Sequence, residues 1–365
     1  MRRLTRFAPT LCFTLLIMGY LGWILTTNGY DPLTFARIGT EFSVPDPAGT
    51  EGYDGQFNYY LALNPNPQQV RPHLDVPAYR YQHILYPLLA RILALGNTAA
   101  IPWTLVGINF VCLIALCFLT GELLAERGGS RWAALLFGLW LGLILGLRAD
   151  LSEPLAFLLL AGALRLAGPQ LDRRLPPAAL LLALAMLSKE SIVPFLLGWA
   201  VWLILQGKAR SAAWLALALV PYLGLQIWLW RVFGSPGLGT GGAGATPFEW
   251  IPFAGLIRVA GANLRIFAAL VAVYLPGLLI PAVYGLGAPL ADWIRRRTSA
   301  EGWLLLANAL IIAFAPFSTF REPLGIIRLA CGLILCMWLY TAVHKIRWWN
   351  KFGLAGLVYL LFILF

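Results

Sequence analysis

Long apolar segments follow one another along almost the whole chain, with mostly short polar stretches between them. A helix needs about 20 apolar residues to cross the hydrocarbon core of a bilayer. Hydrophobic residues make up 60% of the chain and charged residues 12%, which is more apolar surface than a soluble domain can bury. The sequence therefore predicts an all-α, polytopic helical membrane protein, in which residues 1–365 form one integral membrane domain.

The apolar segments predict about eleven transmembrane helices. They cover residues 8–27, 101–124, 131–148, 153–168, 176–188, 192–206, 211–232, 267–290, 302–318, 323–343 and 352–365. Residues 83–98 are also apolar, but the segment is short and Arg91 interrupts it, so we expect a helix that lies on or dips into the interface. The two long intervals between spans, 28–100 with its short interfacial helices and 234–266, are then extracytoplasmic loops.

The distribution of charge orients this arrangement. Arginines within residues 2–6 precede the first apolar segment, which is interpreted as a retained signal anchor with its N-terminus in the cytoplasm. The cytoplasmic side then receives most of the 27 lysines and arginines but few of the 16 acids, whereas bases and acids balance on the other side. If residues 83–98 crossed the membrane, the triple arginine at 295–297 would face outward, against the positive-inside bias.

The same pattern disfavours several other functions. The net charge of +11 does not indicate nucleic-acid binding, because the bases are spread over short loops between apolar segments. The glycine-rich run 239–244 lacks the lysine of a P-loop and predicts a flexible linker. The five cysteines lie inside apolar segments and the three histidines lack metal-ligand spacing, so the sequence predicts neither disulfides nor a metal site.

The most unusual polar stretch is residues 51–60, where Asp54 lies between glycines and among tyrosines. Other ionisable residues fall on the same predicted extracytoplasmic side, near the ends of apolar segments: Arg148, Asp150, Glu153, Lys189, Glu190, Arg321, Glu322 and Arg328. Ionisable groups at membrane depth are energetically costly and usually serve function or pairing. Their collection on one side predicts a charged cavity there.

Simpler explanations stay open for each of these groups. Asp54 also suits a turn, where aspartate is common. Glu322 suits a helix N-terminus, because acids favour that end of the helix dipole and Pro323 fits the first turn. The charges near residue 150 and those at 189–190 also suit local ion pairs.

With these motifs the chain resembles the GT-C class of membrane glycosyltransferases, which take sugars from polyprenyl-phosphate donors. The resemblance rests on the retained first span, the acid in Tyr53-Asp54-Gly55-Gln56 and the segment Leu187-Ser188-Lys189-Glu190-Ser191. Within the class, Asp54-Gly55-Gln56 and Tyr79-Arg80-Tyr81-Gln82 are similar to bacterial proteins of cell-surface glycopolymer formation. The chain departs from the class pattern in having no paired acids in the first loop, no Asp-x-Asp motif and no soluble C-terminal domain.

The resemblance implies transfer of a sugar from a polyprenyl-phosphate-linked donor to a cell-envelope glycan or lipid acceptor, at the extracytoplasmic face of a bacterial inner (plasma) membrane. Asp54 is then the general base for the acceptor hydroxyl in an inverting reaction. The expected partners are the donor, the acceptor and membrane lipids, with no nucleic acid. No cofactor is predicted, and a divalent cation is compatible with the class but has no supporting motif. The residues implied in substrate binding are Tyr53, Gln56, Tyr59, Arg80, Glu153, Lys189, Glu190, Arg321, Glu322 and Arg328.

Other functions remain as alternatives at this stage. A transporter or flippase for a lipid-linked sugar would use the same cationic cavity without a base, although the chain shows no clear internal repeat of the kind many transporters carry. A polysaccharide polymerase or ligase and a non-catalytic assembly subunit are further possibilities. The sequence names neither the sugar nor the acceptor.

Overall fold

A computed structural model describes residues 4–44, 46, 48–346 and 349–363. These residues fold into α-helices with a few short 3₁₀ and π segments, and no β-strand occurs among them. The all-α prediction is therefore confirmed for the described chain. Arg2 and Arg3, which contribute to the predicted orientation, and the last two residues of the predicted span 352–365 lie outside the described residues.

The N-terminal third contains one long helix followed by several short ones. In chain order they are α1 (Leu4–Thr27), α2 (Leu33–Ala36), α3 (Thr40–Ser43), α4 (Gly55–Leu63), α5 (Pro67–Val70), α6 (Pro77–Tyr81) and α7 (Leu85–Leu93). Helix α7 has nine residues. At 1.5 Å per residue this is about 14 Å, less than half the hydrocarbon thickness. The helix is too short to span a membrane, in agreement with the interpretation of residues 83–98.

The middle and C-terminal parts alternate longer apolar helices with short ones. The middle helices are α8 (Ile101–Glu126), α9 (Ala133–Gly138), α10 (Leu141–Arg148), α11 (Glu153–Ala167), α12 (Leu175–Ser188), α13 (Val193–Leu205), α14 (Ala209–Ala216) and α15 (Leu219–Phe233). The C-terminal helices are α16 (Ala254–Ala262), α17 (Leu264–Tyr274), α18 (Ile280–Ile294), α19 (Ala300–Ala313), α20 (Phe317–Arg321), α21 (Pro323–Leu329), α22 (Cys331–Val343) and α23 (Trp349–Ala355). Short 3₁₀ or π segments are Arg71–His73, Thr98–Ala100, Glu190–Ile192, Leu275–Leu279 and Gly356–Ile363.

Four helical segments are long and apolar enough to cross a membrane. They are Arg6–Thr27, Thr98–Glu126, Ala209–Phe233 and Leu264–Ile294. The pair α21 and α22, bent by 42° at its junction, makes a fifth if it counts as one span. These segments coincide with five of the predicted spans, so the described chain has the composition of a helical membrane-spanning protein.

The other predicted spans correspond to shorter elements. Residues 131–148 are divided at Leu139 and Trp140 into α9 and α10. Helices α11, α12, α13 and α19 have 13 to 15 residues each. At 1.5 Å per residue they are about 20–23 Å long, below the hydrocarbon thickness. The number of eleven spans therefore stays a prediction.

The core is centred on α22, whose residues from Cys331 to Ala342 are all buried. Helix α22 packs against α19, which also contacts α13 and α18. Helix α11 packs between α8 and α12. Gly142 of α10 permits a close approach to this core, because a Cβ there would lie 2.6 Å from the Cys331 Sγ atom. The bent pair α21 and α22 is thereby held against α10.

Contacts between basic and acidic side chains separate into two groups among the described residues. One group contains Arg6 and Arg131 with Glu122, Arg127 with Glu301, Arg165 with Glu126, Lys208 with Asp172, and His344 with Asp292. The other contains Arg80 with Asp54 and Asp75, Arg328 with Asp54 and Glu153, Lys189 with Glu153, His83 with Glu190, and Arg258 with Glu249. Each pair of an arginine or lysine with an acid joins residues that the charge distribution assigns to the same side of the membrane.

The pair between Arg127 and Glu301 predicts a large loss of stability when its charge balance is broken. Their Nε and Oε1 atoms are 2.6 Å apart, and the side chains are only 1% and 4% exposed. Glu301→Gln should lower the free energy of unfolding by about 3 kcal/mol, since it leaves a buried guanidinium without its counter-charge. Thermal or denaturant unfolding of the purified protein in detergent measures this loss.

The matched control is Asp172→Asn, which neutralises the partner of Lys208 in an exposed pair whose side chains are 27% and 42% exposed. We expect a change below about 1 kcal/mol there, because water already solvates both groups. Equal losses in the two variants would contradict a stabilising role for the buried pair.

Candidate functional site

Asp54 lies at the start of α4, where its carboxylate bridges two arginines from distant parts of the chain. The Arg80 Nη1 atom, on α6, lies 2.9 Å from Oδ1. The Arg328 Nη1 atom, on α21, donates to Oδ2 at 2.6 Å. The carboxylate thus connects the first loop with the C-terminal helices.

Glycine allows the start of α4 to approach the turn between α10 and α11. A Cβ atom at Gly55 would lie 2.1 Å from the carbonyl oxygen of Ala149, so no larger residue fits without movement. One turn later the Asn58 side chain donates from Nδ2 to the carbonyl oxygen of Asp150 at 2.8 Å. These two contacts fix the position of Asp54 relative to α11.

Glu153 extends the group of charges around Asp54, because it contacts both Arg328 and Lys189. Its side chain is 2% exposed at the N-terminus of α11, and its Oε1 atom accepts a 2.9 Å hydrogen bond from the Nε atom of Arg328. The Lys189 Nζ atom lies 3.5 Å from the same oxygen. Glu190, next in the chain, pairs with the Nε2 atom of His83. Charges from the first loop, α11, the α12–α13 junction and α21 therefore form one connected network.

Asp75 holds Arg80 from the other side. The Nε and Nη2 atoms of Arg80 donate to its two carboxylate oxygens, each at 2.7 Å. The guanidinium also lies over the Phe57 ring, 4.2 Å from the centroid. Arg80 is therefore oriented by two carboxylates and an aromatic face, which leaves it little rotational freedom.

The glycine-rich segment 239–244 contributes Ala243 to the wall of the site. The Ala243 N–H donates to the Oδ2 atom of Asp75 at 3.0 Å. A Cβ atom at Gly242 would lie 2.8 Å from the Nη2 atom of Arg80, so glycine permits this contact. These contacts involve Ala243 and Gly242, and the flexible linker stays a prediction for the segment.

Electrostatic interactions keep Asp54 ionised. Burial by itself would raise the pKa of Asp54, but the guanidinium groups of Arg80 and Arg328 outweigh it and hold the pKa of that carboxyl below its ordinary value. Asp75 behaves in the same way, because Arg80 overcomes the effect of burial and lowers the pKa of its carboxyl. Burial and the charge of Lys189 lower the pKa of His83 despite the opposing effect of Glu190. At neutral pH the site thus contains charged carboxylates and a neutral imidazole.

A cavity of about 440 Å³ adjoins Asp54. Its wall includes Tyr53, Arg80 and Arg328, together with Arg321 and Glu322 from the junction of α20 and α21. The last two side chains belong to exposed residues and make no ion pair among the described residues. The wall also includes the acids Glu41, Glu51 and Asp75. The cavity therefore has two carboxylates held by arginines, Asp54 and Asp75, two fixed guanidiniums, and further charges that include the exposed Arg321 and Glu322.

The predicted site residues, with one exception, fall into two sets. Those that line the cavity are Tyr53, Asp54, Gln56, Arg80, Arg321, Glu322 and Arg328. Behind Asp54, Glu153 and Lys189 belong to the connected network, and Glu190 pairs with His83. Tyr59 belongs to neither set.

Gln56 and Tyr59, for which substrate binding stays a prediction, both contact other parts of the protein. Gln56 borders the cavity, but its Oε1 atom accepts from Gly39 N–H at 3.1 Å and its Nε2 atom donates to the carbonyl oxygen of Glu51 at 2.7 Å. Its amide therefore holds the loop before α4. Tyr59 lies outside the cavity lining and packs in the apolar clusters beneath α4, with Leu63 among its neighbours.

Sequence reasoning missed Asp75 as a partner of Arg80 and His83 as a partner of Glu190. Asp75 lies five residues before Arg80 in one short polar segment, and this proximity of opposite charges is the indication that the sequence offers. His83 has no comparable indication, because Glu190 is 107 residues away. No group of three or more potential metal ligands occurs among the described residues.

Comparison with protein-family models, with characterised proteins and with solved structures finds no match to this chain.

The lowered pKa of Asp54 predicts how its contribution to stability depends on pH. Asp54→Asn should destabilise the protein by about 2 kcal/mol, because two guanidiniums lose a charged acceptor. A depressed carboxyl pKa contributes stability that is fully present above the unfolded value of about 3.9 and is lost as the pH falls through the folded value. The difference in Tm between wild type and variant should therefore stay constant from about pH 8 to about pH 5.

Thermal unfolding of both proteins across this range, in one detergent, checks the prediction. A difference that already shrinks between pH 7 and pH 5 would show that Asp54 takes up a proton near neutrality, against the direction of its shift.

Proposed function

We propose that the protein is a GT-C-like membrane glycosyltransferase that uses a polyprenyl-phosphate-linked sugar donor, with Asp54 as the general base. The observation that carries this proposal is the 440 Å³ cavity whose wall holds an ionised carboxylate between two oriented guanidiniums. Such a wall offers a proton acceptor and anion-stabilising groups within one site. A glycosyl transfer from a phosphate leaving group needs both.

The cations suit the leaving group. As the bond between the anomeric carbon and the phosphate oxygen breaks, its electron pair passes to the phosphate, which gains negative charge. Arg80, Arg328 and the exposed Arg321 line the cavity in which that charge would develop. Preorganised cations stabilise such a developing anion without reorganising during the reaction. Because phosphate leaves readily, no acid is required to protonate it.

Asp54 can act as the base when the donor phosphate also contacts Arg80 and Arg328, the two arginines that pair with Asp54. In the free protein both guanidiniums lower the pKa of its carboxyl, which makes it a weak proton acceptor. A donor phosphate would compete for the same guanidiniums, reduce their effect on Asp54 and so increase its basicity. The acceptor oxygen then attacks the anomeric carbon as its proton moves to Asp54, with inversion at that carbon.

The two groups of ion pairs support the proposed topology. Each pair of an arginine or lysine with an acid joins charges assigned to one side, as expected if the membrane separates the two groups. The proposed orientation puts Asp54 on the extracytoplasmic face of a bacterial inner membrane, with eleven spans and the N-terminus in the cytoplasm. Loops 28–100 and 234–266 then meet over the site, in keeping with the contact between Asp75 and Ala243.

Replacing the proposed base should stop transfer but not donor binding. Asp54→Asn removes the proton acceptor and keeps the side-chain volume, so we expect transfer to fall by about 10²- to 10⁴-fold. The measurement uses purified protein, a radiolabelled polyprenyl-phosphate sugar and a separate assay of donor binding. Glu249→Gln is the matched control, because Glu249 pairs with Arg258 at 2.8 Å and lies outside the cavity lining.

Full turnover by Asp54→Asn would exclude Asp54 as the base. Movement of the lipid-linked sugar across liposomes, unaffected by Asp54→Asn and without any transfer product, would favour a flippase instead.

The topology predicts opposite accessibility for two exposed positions, Gln68 on α5 and Arg295 at the end of α18. In a Cys12→Ala background, Gln68→Cys should react with an impermeant maleimide on intact cells. Arg295→Cys should react only after permeabilisation. The other native cysteines are buried and should not react with the maleimide. Reaction of both positions from the same side would overturn the orientation.

A further inference from the structure

A second and larger cavity, of about 1030 Å³, lies beside the one that contains Asp54. It is bordered by the C-terminal end of α1, by α2 and the chain leading to α4, and by the end of α10. Its charged lining residues are Asp31, Arg37 and Arg148. Neither the motifs nor the proposed transfer reaction assign a role to it.

The two arginines of this cavity lack an acidic partner among the described residues. Arg148 is half-buried and donates from Nη1 to the carbonyl oxygen of Thr34 at 3.2 Å. Arg37 is exposed, and its guanidinium lies 5.7 Å from the centroid of the Tyr53 ring. In contrast, Arg80 and Arg328 in the neighbouring cavity each contact two carboxylates.

Asp31 offsets this positive charge only in part. Its Oδ1 atom accepts the Leu33 N–H at 2.9 Å, so this carboxylate is used to start α2. Two cations and one acid thus line the cavity, and its net charge is positive. Two guanidiniums and a single acid leave the lining of this cavity positively charged, and such a lining favours an anionic ligand.

We propose that Arg37 and Arg148 form a binding site for a phosphate group. The planar guanidinium donates paired hydrogen bonds that match phosphate oxygens, and two of them hold such a group from two directions. The cavity also includes Trp23 and Ile24 near the end of α1, a candidate span. Tryptophan at a span end is typical of the headgroup level of a bilayer, where lipid phosphates lie.

The site is a neighbour of the Asp54 cavity and is distinct from it. The two cavities share Gly52, Tyr53 and Leu324 as lining residues. The guanidinium groups of Arg37 and Arg328 lie 5.7 Å and 6.0 Å from the centroid of the Tyr53 ring. A ligand bound at Arg37 and Arg148 would therefore be adjacent to a ligand bound in the Asp54 cavity. The proposal concerns binding alone and does not depend on glycosyl transfer.

Binding of two probes to the purified full-length protein tests the proposal: inorganic phosphate, and dodecyl phosphate in maltoside detergent. Wild type should bind at least one of them. The Arg37→Gln and Arg148→Gln double variant should lose that affinity by about tenfold or more, because two charge-assisted contacts disappear. Arg265→Gln is the control, since Arg265 is an exposed arginine outside both cavities and has the same change in charge.

The two probes also separate the sources of the phosphate. Tighter binding of dodecyl phosphate indicates a lipid headgroup, whereas equal binding of both probes indicates a free anion, and either result supports the site. Unchanged affinity in the double variant, an equal loss in Arg265→Gln, or no binding by wild type would overturn it. The single variant Arg37→Gln changes an exposed residue and should fold normally. Its phosphate affinity therefore tests the site even if the double variant folds poorly.

Discussion

The bridge between Asp54 and its two arginines is the interaction on which the arrangement of the site depends. It joins α4, α6 and α21, which are far apart in the chain, through a single carboxylate. Both arginines of this bridge are largely buried, and a buried charge is stable when it is compensated by opposite charges with good geometry. Asp75 on one side and Glu153 on the other supply that compensation for Arg80 and Arg328.

This requirement explains why the network extends so far. Arg328 needs more negative charge than Asp54 alone provides, and Glu153 provides it; Lys189 then balances Glu153. Each group orients its neighbour, so the cations at the cavity are held before any ligand arrives. Preorganised charges of this kind can stabilise charge that develops in a reaction. Ionisable groups at membrane depth cost free energy and usually serve function or pairing.

Close backbone contacts are the second condition for the site. Gly55 brings the start of α4 against Ala149, and Gly242 brings the second long loop against Arg80. Both glycines have φ values outside the left-handed region, so what matters there is space and not backbone freedom. The two long loops are thereby combined into one wall, although nearly 170 residues separate Asp75 from Ala243.

Much of the architecture was predictable from the sequence, since apolar length and the scarcity of charge indicate helices in a membrane. Charge counting also predicts that Asp54, Arg80, Glu153, Lys189 and Arg328 lie on one side of the membrane. Their contacts agree with this prediction, because an ion pair forms only between groups that the membrane does not separate. The number of spans was not decided in this way. Apolar segments near the minimum length have the same composition whether they cross the bilayer or break, as residues 131–148 do at Leu139 and Trp140.

Only the tertiary structure decided which groups touch. The resemblance implicates Gln56 and Tyr59 in substrate binding, and the structure adds that the amide of Gln56 is engaged by the loop backbone and that Tyr59 packs against an apolar cluster. Nothing in the sequence indicates that His83 meets Glu190. Composition and periodicity predict which segments are apolar helices and on which side of the membrane charges are expected. The distances between side chains more than a hundred residues apart follow from packing, which no local pattern encodes.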